Sequence, residues 1–100
     1  MNDKMYSIYI LECSDGSFYT GMTSNLDARM KSHVEGDEKC ARHTKTRKPV
    51  KLVFSFNNIK ESRIARKGEK YIKGLTREKK IKIINGDIKA IHLLNRQIEY

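Results

Sequence analysis

The apolar positions of this chain fall in short blocks whose period switches between two and about 3.6, the mark of a mixed α and β protein. Residues 5–13, Met-Tyr-Ser-Ile-Tyr-Ile-Leu-Glu-Cys, are rich in β-branched and aromatic side chains and apolar on both faces. That suits a strand covered on both sides. Asp15-Gly16 predicts a two-residue primed turn into a second strand over 17–22, giving an antiparallel hairpin. Ser24 and Asp27 read as a capping box opening a helix near Asn25, with Leu26, Arg29, Met30, His33 and Val34 on its stripe and Gly36 at its end. Residues 37–49 read as an irregular basic loop closed by Pro49. Leu52, Phe54 and Phe56 then alternate with Lys51, Val53 and Ser55 in a third strand.

A second capping box, Asn58 and Glu61, predicts a helix to about Lys73. Its stripe holds Ala65, Gly68, Glu69 and Ile72. Thr76 is placed to cap a short helix ending near Asn85-Gly86, and Asp87 a last one carrying Ile88, Ile91, Leu94 and Ile98. The order ββα-βα(αα) predicts an α+β fold with a small three-stranded antiparallel sheet flanked by helices. One hundred residues fit one domain: residues 1–86 form its body and 87–100 a C-terminal helical extension of the same domain.

Charge changes the picture. The net charge is +9 and the pI about 9.7, but residues 1–38 hold three basic and seven acidic side chains, net −4, and residues 39–100 hold 18 basic and five acidic, net +13. Such a basic second half points to a nucleic-acid partner. The charges spread over several elements instead of one amphipathic segment, which argues against a membrane-surface role. No run approaches the ~20 apolar residues of a membrane span, and Met1-Asn2-Asp3-Lys4 lacks a signal-peptide pattern. The expectation is a soluble cytoplasmic protein in which Cys13 and Cys40 form no disulfide framework. The cysteines and His33, His43 and His92 lack the paired spacing of a zinc site.

Two predicted helices carry polar groups where periodicity calls for apolar ones. Arg29 and His33 stand one turn apart at a stripe edge, and Glu69 is in register with Ala65 and Ile72. A carboxylate against a core is costly unless paired, hydrogen-bonded or bound to a metal. Taken singly, each has a plain explanation: a surface ion pair for Arg29, a satisfied helix-end histidine for His33, an intrahelical pair with Arg66 or Lys73 for Glu69. Tyr9 and Tyr19 on neighbouring strands would likewise serve packing if met alone.

Together they resemble the GIY-YIG nuclease domain. The half-motifs stand here as Ser7-Ile8-Tyr9 and Tyr19-Thr20-Gly21, followed by a helix with Arg29 and His33 and a later helix with Glu69 inside Ala65-Arg66-Lys67-Gly68-Glu69-Lys70-Tyr71-Ile72-Lys73. The resemblance covers roughly residues 5–85 and is nearest the small stand-alone bacterial members. Ser7 and Thr20 replace a glycine and an isoleucine of the family name. Met22 stands where some relatives, including the excision-repair nuclease, carry a lysine, and His33 is similar to the branch of certain restriction and homing endonucleases.

The resemblance implies a DNA endonuclease, acting in repair or recombination, with Tyr9, Tyr19, Arg29, His33 and Glu69 catalytic and one divalent ion, Mg²⁺ or Mn²⁺, on Glu69. Arg29 would fork across the phosphate. One tyrosine, Tyr9 by preference, would take the water's proton with help from His33, since a phenol of pKa ~10 is a poor base alone. The basic loop (Lys39, Arg42, Lys45, Arg47, Lys48) and the helix faces with Arg63, Arg66, Lys67, Lys70 and Lys73 would supply phosphate contacts, and His43 and Thr44 further bonds to the backbone. With no separate recognition domain, binding to duplex, branched or nicked DNA should be structure-guided or nonspecific. DNA ranks ahead of RNA, and the chain is expected as a monomer or weak homodimer. The rival readings are a nucleic-acid-binding module that does not cut and a protein whose basic face meets an acidic partner or RNA.

Overall fold

The computed structural model describes residues 4–35 and 42–98, and the side chains of Arg42 and His43 lie outside that description, as do Gly36, Lys39 and Cys40. Alternation in the first block becomes β1 (Tyr6–Cys13), with Ile8, Ile10 and Leu11 at 0 % exposure and Tyr9 at 1 %. β2 (Phe18–Thr23) and β3 (Val50–Ile59) pair antiparallel on either side of it, in the order β2-β1-β3. β1 is thus the central strand of the expected three-stranded antiparallel sheet.

The hairpin turns through three residues, not two. The Gly16 amide donates to the Cys13 carbonyl (2.9 Å) and the Cys13 amide to the Ser17 carbonyl (2.9 Å), with Gly16 at φ 83°. A primed two-residue turn needs positive φ at both central residues, and Asp15 does not have it. Asp15 instead accepts bonds from the Ser17 amide (3.0 Å) and hydroxyl (2.6 Å). These, with Arg47, hold its carboxyl down to about 2.

α1 (Leu26–Glu35) follows β2 directly. Its cap is Asn25, whose side chain accepts from the Ala28 amide (3.1 Å), one residue later than the expected Ser24. The helix also turns differently from its apolar stripe: Ser32 and His33 are buried while Val34 is 54 % exposed. Hydrogen bonding, not apolar periodicity, sets which edge faces inward.

Two irregularities in β3 correct the simple alternation. Ile10 pairs with Phe54 but Leu11 with Leu52, and Ile8 pairs with Phe56 but Tyr6 with Ile59. The first extra residue moves Leu52 to the sheet face opposite Phe54. The second lies beside Asn58, which takes φ 66° inside the strand, a conformation asparagine tolerates. Asn58 is therefore no helix cap. The cap of α3 (Ser62–Lys73) is Glu61, with no side-chain cap bond. Thr76 and Asp87 do cap α4 (Arg77–Ile84) and α5 (Ile88–Gln97), accepting from the Lys79 and Ala90 amides. Within the expected loop lies a single helical turn, α2 (Arg42–Lys45).

Ile8 and Ile10 on one sheet face join Ile59, Ile64, Ala65, Ile72, Ile83 and Leu94 in the core, so α3, α4 and α5 cover that face together. Tyr9 points to the other face, toward α1. Core burial leaves one polar group unanswered: Thr20 Oγ1 is buried with no hydrogen-bond partner among the described residues. A lost partner costs about 1–3 kcal/mol. Thr20→Val keeps the shape without the hydroxyl and is expected to stabilise by about 1 kcal/mol. A rise in the urea midpoint at unchanged slope is the readout; a fall would show the hydroxyl to be satisfied.

Candidate active site

The site begins with a cross-strand pair. Tyr9 lies opposite Gly21 in the β1–β2 register, and Tyr19 opposite Leu11, so both tyrosines rise from the same face. Their rings are 6.3 Å apart and tilted by 46°. A Cβ at Gly21 would collide with the Tyr9 hydroxyl and lie 2.6 Å from its Cζ and 3.1 Å from Tyr19 Cε2. Glycine lets the two rings converge over the strand.

α1 delivers the next two groups. His33 is fully buried, with ring centroids 5.7 Å from Tyr9 and 5.4 Å from Tyr19. Its Nε2 is 2.9 Å from the Tyr9 hydroxyl, and its Nδ1 is 2.8 Å from Thr44 Oγ1. One turn earlier, Arg29 lies beside both tyrosines, near enough for each phenol to act on its charge. Burial opposes the Arg29 charge, but the two neighbouring phenols prevail and raise its pKa above the usual guanidinium value. Burial also raises the Tyr9 phenol above its ordinary value, against the lowering pull of Arg29. Tyr9 is therefore a neutral phenol at physiological pH.

Glu69 comes from α3. Its carboxylate bears on Tyr9 as the weakest of the influences raising that pKa, and it pairs with Lys73 Nζ at 3.4 Å, one turn along the same helix. So Tyr9, Tyr19 and His33 form one contacting cluster with Arg29 beside it, and Glu69 is near enough to act electrostatically on Tyr9. Among the described residues no three His, Cys, Asp or Glu side chains gather as metal ligands.

The basic side chains divide into two kinds. Arg47 is held on the hairpin tip by Asp15 (2.9 Å), while its carbonyl accepts from the Ser14 amide (2.9 Å). Lys48 Nζ donates to the Glu35 carbonyl at the end of α1 (3.2 Å). These two, expected to meet phosphate, also tie the segment after α1 to its neighbours. Lys45, Arg63, Arg66, Lys67, Lys70 and Lys73 are exposed. Thr44, expected to face a nucleic-acid backbone, is fully buried against His33. No signal marks it in the sequence, because it sits eleven residues from its partner in a stretch without periodicity.

Comparison with known proteins agrees with this geometry. The family model described as the GIY-YIG catalytic domain matches residues 5–82. The chain belongs to the GIY-YIG family. It is 46 % identical over 82 residues to a UPF0213 protein of Clostridium perfringens, covering 81 % of this chain and 84 % of that one. It is 40 % identical to UPF0213 protein YazA of Bacillus subtilis, covering 80 % and 78 % respectively. The solution NMR structure of the UPF0213 protein BH0048 from Bacillus halodurans superposes with a TM-score of 0.53 at 36 % identity, over 87 % of this chain and 93 % of that one. GIY-YIG domains are a nuclease family, and the matched span contains the tyrosine–histidine–arginine cluster and Glu69. No helix among the described residues is long and apolar enough to cross a membrane.

Proposed function

We propose that this GIY-YIG protein is a metal-assisted endonuclease that hydrolyses DNA phosphodiester bonds without reading sequence. The observation that carries the proposal is the bond between Tyr9 and His33 Nε2 (2.9 Å), with Arg29 beside the same phenol. A tyrosine that must accept a proton at neutral pH needs somewhere to send its own, and His33 Nε2 is in place.

In the free protein Arg29 stands beside the two tyrosines. A phosphate competes for its guanidinium, whose planar fork suits two phosphate oxygens. Tyr9 is 1 % exposed, so the turn of Arg29 to the phosphate would open the approach to its hydroxyl. Tyr19, half-buried at the same mouth, orients the incoming water. Tyr9 takes the water's proton while passing its own to His33. A single carboxylate fits Mg²⁺ or Mn²⁺, hard ions that keep most of their waters beside a phosphate. Glu69 would hold the ion, which when bound supplies charge to the phosphate and to the leaving oxygen. Lys73 meanwhile neutralises Glu69.

The exposed Lys45, Arg66, Lys70 and Lys73 give backbone contacts that set affinity and its salt dependence. Cutting guided by DNA shape is what repair or recombination uses, and we place the enzyme there, in the cytoplasm. One observation favours a binding module that does not cut: the Glu69–Lys73 pair satisfies the carboxylate within its own helix. Incubation with Mg²⁺ or Mn²⁺ and duplex, branched, nicked and single-stranded DNA separates the two. The expected result is nicking of several unrelated plasmids without discrete bands, inhibited as salt rises. Discrete sequence-dependent bands would overturn the nonspecific reading. Tight binding without cleavage would establish the module.

A further inference from the structure

We infer that Thr44 is a positioning residue that fixes the tautomer of His33, so that its Nε2 is the proton acceptor for Tyr9. This inference rests on the nuclease reading for its role, but not for its geometry. Arg29, beside Tyr9, has donors only and cannot take the phenolic proton. The Tyr9 proton is retained, because burial raises that pKa, and the imidazole Nε2 stands at 2.9 Å to receive it. A neutral imidazole that accepts at Nε2 carries its proton on Nδ1. At Nδ1 the facing atom is Thr44 Oγ1, at 2.8 Å. A hydroxyl accepts there while its own hydrogen rotates elsewhere, and both residues have 0 % exposure, so bulk water does not compete for the site.

The fold invests in holding Thr44 there. Its carbonyl accepts from the Arg47 amide (3.1 Å), and Arg47 is locked to the hairpin tip through Asp15 and Ser14. The hairpin that carries both tyrosines therefore also anchors the turn that orients their histidine. In the opposite tautomer Nε2–H would point at Tyr9, leaving no acceptor for the phenolic proton and no route for it during water activation. The arrangement is the one in which a second group orients a functional histidine through its other nitrogen.

Two measurements on the full chain test this. Long-range ¹H–¹⁵N correlation spectra at neutral pH report which His33 nitrogen is protonated, with or without activity. Protonated Nδ1 is expected in the wild type, with Thr44→Val moving population to protonated Nε2; a wild-type ring protonated at Nε2 overturns the inference. In single-turnover cleavage at saturating protein, Thr44→Val should lose about 10- to 100-fold, the scale on which histidine-orienting partners act at metal sites. Thr44→Ser, which keeps the hydroxyl, should restore most of the rate, and DNA affinity should change little in either. Unchanged cleavage in Thr44→Val, or a serine variant no better than valine, overturns it. If the wild type cuts no substrate, the nuclease reading fails and the spectra still decide the tautomer.

Discussion

Glu69→Gln is expected to lower Mg²⁺-supported cleavage by about 10³-fold while leaving thermal stability nearly unchanged. The loss corresponds to the several kcal/mol that a bound cation contributes to a charged phosphoryl transition state. Glutamine keeps the side chain's length and removes its charge. The stability side follows from exposure: the partner Lys73 is 53 % exposed and the pair spans one helical turn at 3.4 Å. Such pairs stabilise by about 0.3–0.5 kcal/mol. Lys73→Ala breaks the same pair but leaves the carboxylate, so it should weaken DNA binding and flatten the salt dependence without abolishing the cut. A Glu69→Gln protein that nicks as fast as wild type would remove the metal from the scheme. A large loss of stability in both variants would instead give the pair a structural role.

The parts of this site that were legible in the sequence are those where a rule of patterning was broken. Arg29 and His33 stood out because a stripe edge held a guanidinium and an imidazole, and Glu69 because it fell in register with Ala65 and Ile72. The structure places the first two beside the tyrosines and pairs the third with Lys73. What stayed hidden has a common physical cause. A bulge in β3 inserts a residue without altering composition, so nothing in Leu52-Val53-Phe54 announces that Leu52 changes face. Asn58 suits a helix cap and a left-handed bulge equally well, and only strand pairing decides between them. Val34 looked like a core residue beside His33, yet His33 is buried and Val34 exposed. Two strong bonds to Tyr9 and Thr44 orient α1 more firmly than one isopropyl group would. Thr44 itself depends on a contact between distant segments, which no local pattern encodes.

Gly21→Ala should be nearly as damaging as losing Glu69, and by a different route. The added methyl would collide with the Tyr9 hydroxyl and come within 2.6 Å of Cζ, with Tyr19 Cε2 at 3.1 Å on its other side. Neither ring is a flexible chain end, and Tyr9 at 1 % exposure has no solvent to retreat into. Overpacking of this kind costs about 1–3 kcal/mol, which for a 100-residue domain lowers Tm by several degrees. The relief available is a displacement of Tyr9 away from β2, which lengthens its 2.9 Å bond to His33. A misplacement near 1 Å at a reacting group costs about 10²-fold, so cleavage should fall by at least that factor. Combining Gly21→Ala with Tyr9→Phe separates the two effects. Removing the hydroxyl removes the atom most directly in the methyl's way, so the double variant should regain part of the lost stability, a coupling expected between residues in contact. It should regain none of the cleavage, because the proton acceptor is gone. A Gly21→Ala protein as stable and active as wild type would mean that the rings have room to part. The close approach over Gly21 would then be incidental, and the proton path from Tyr9 to His33 would lose its structural support.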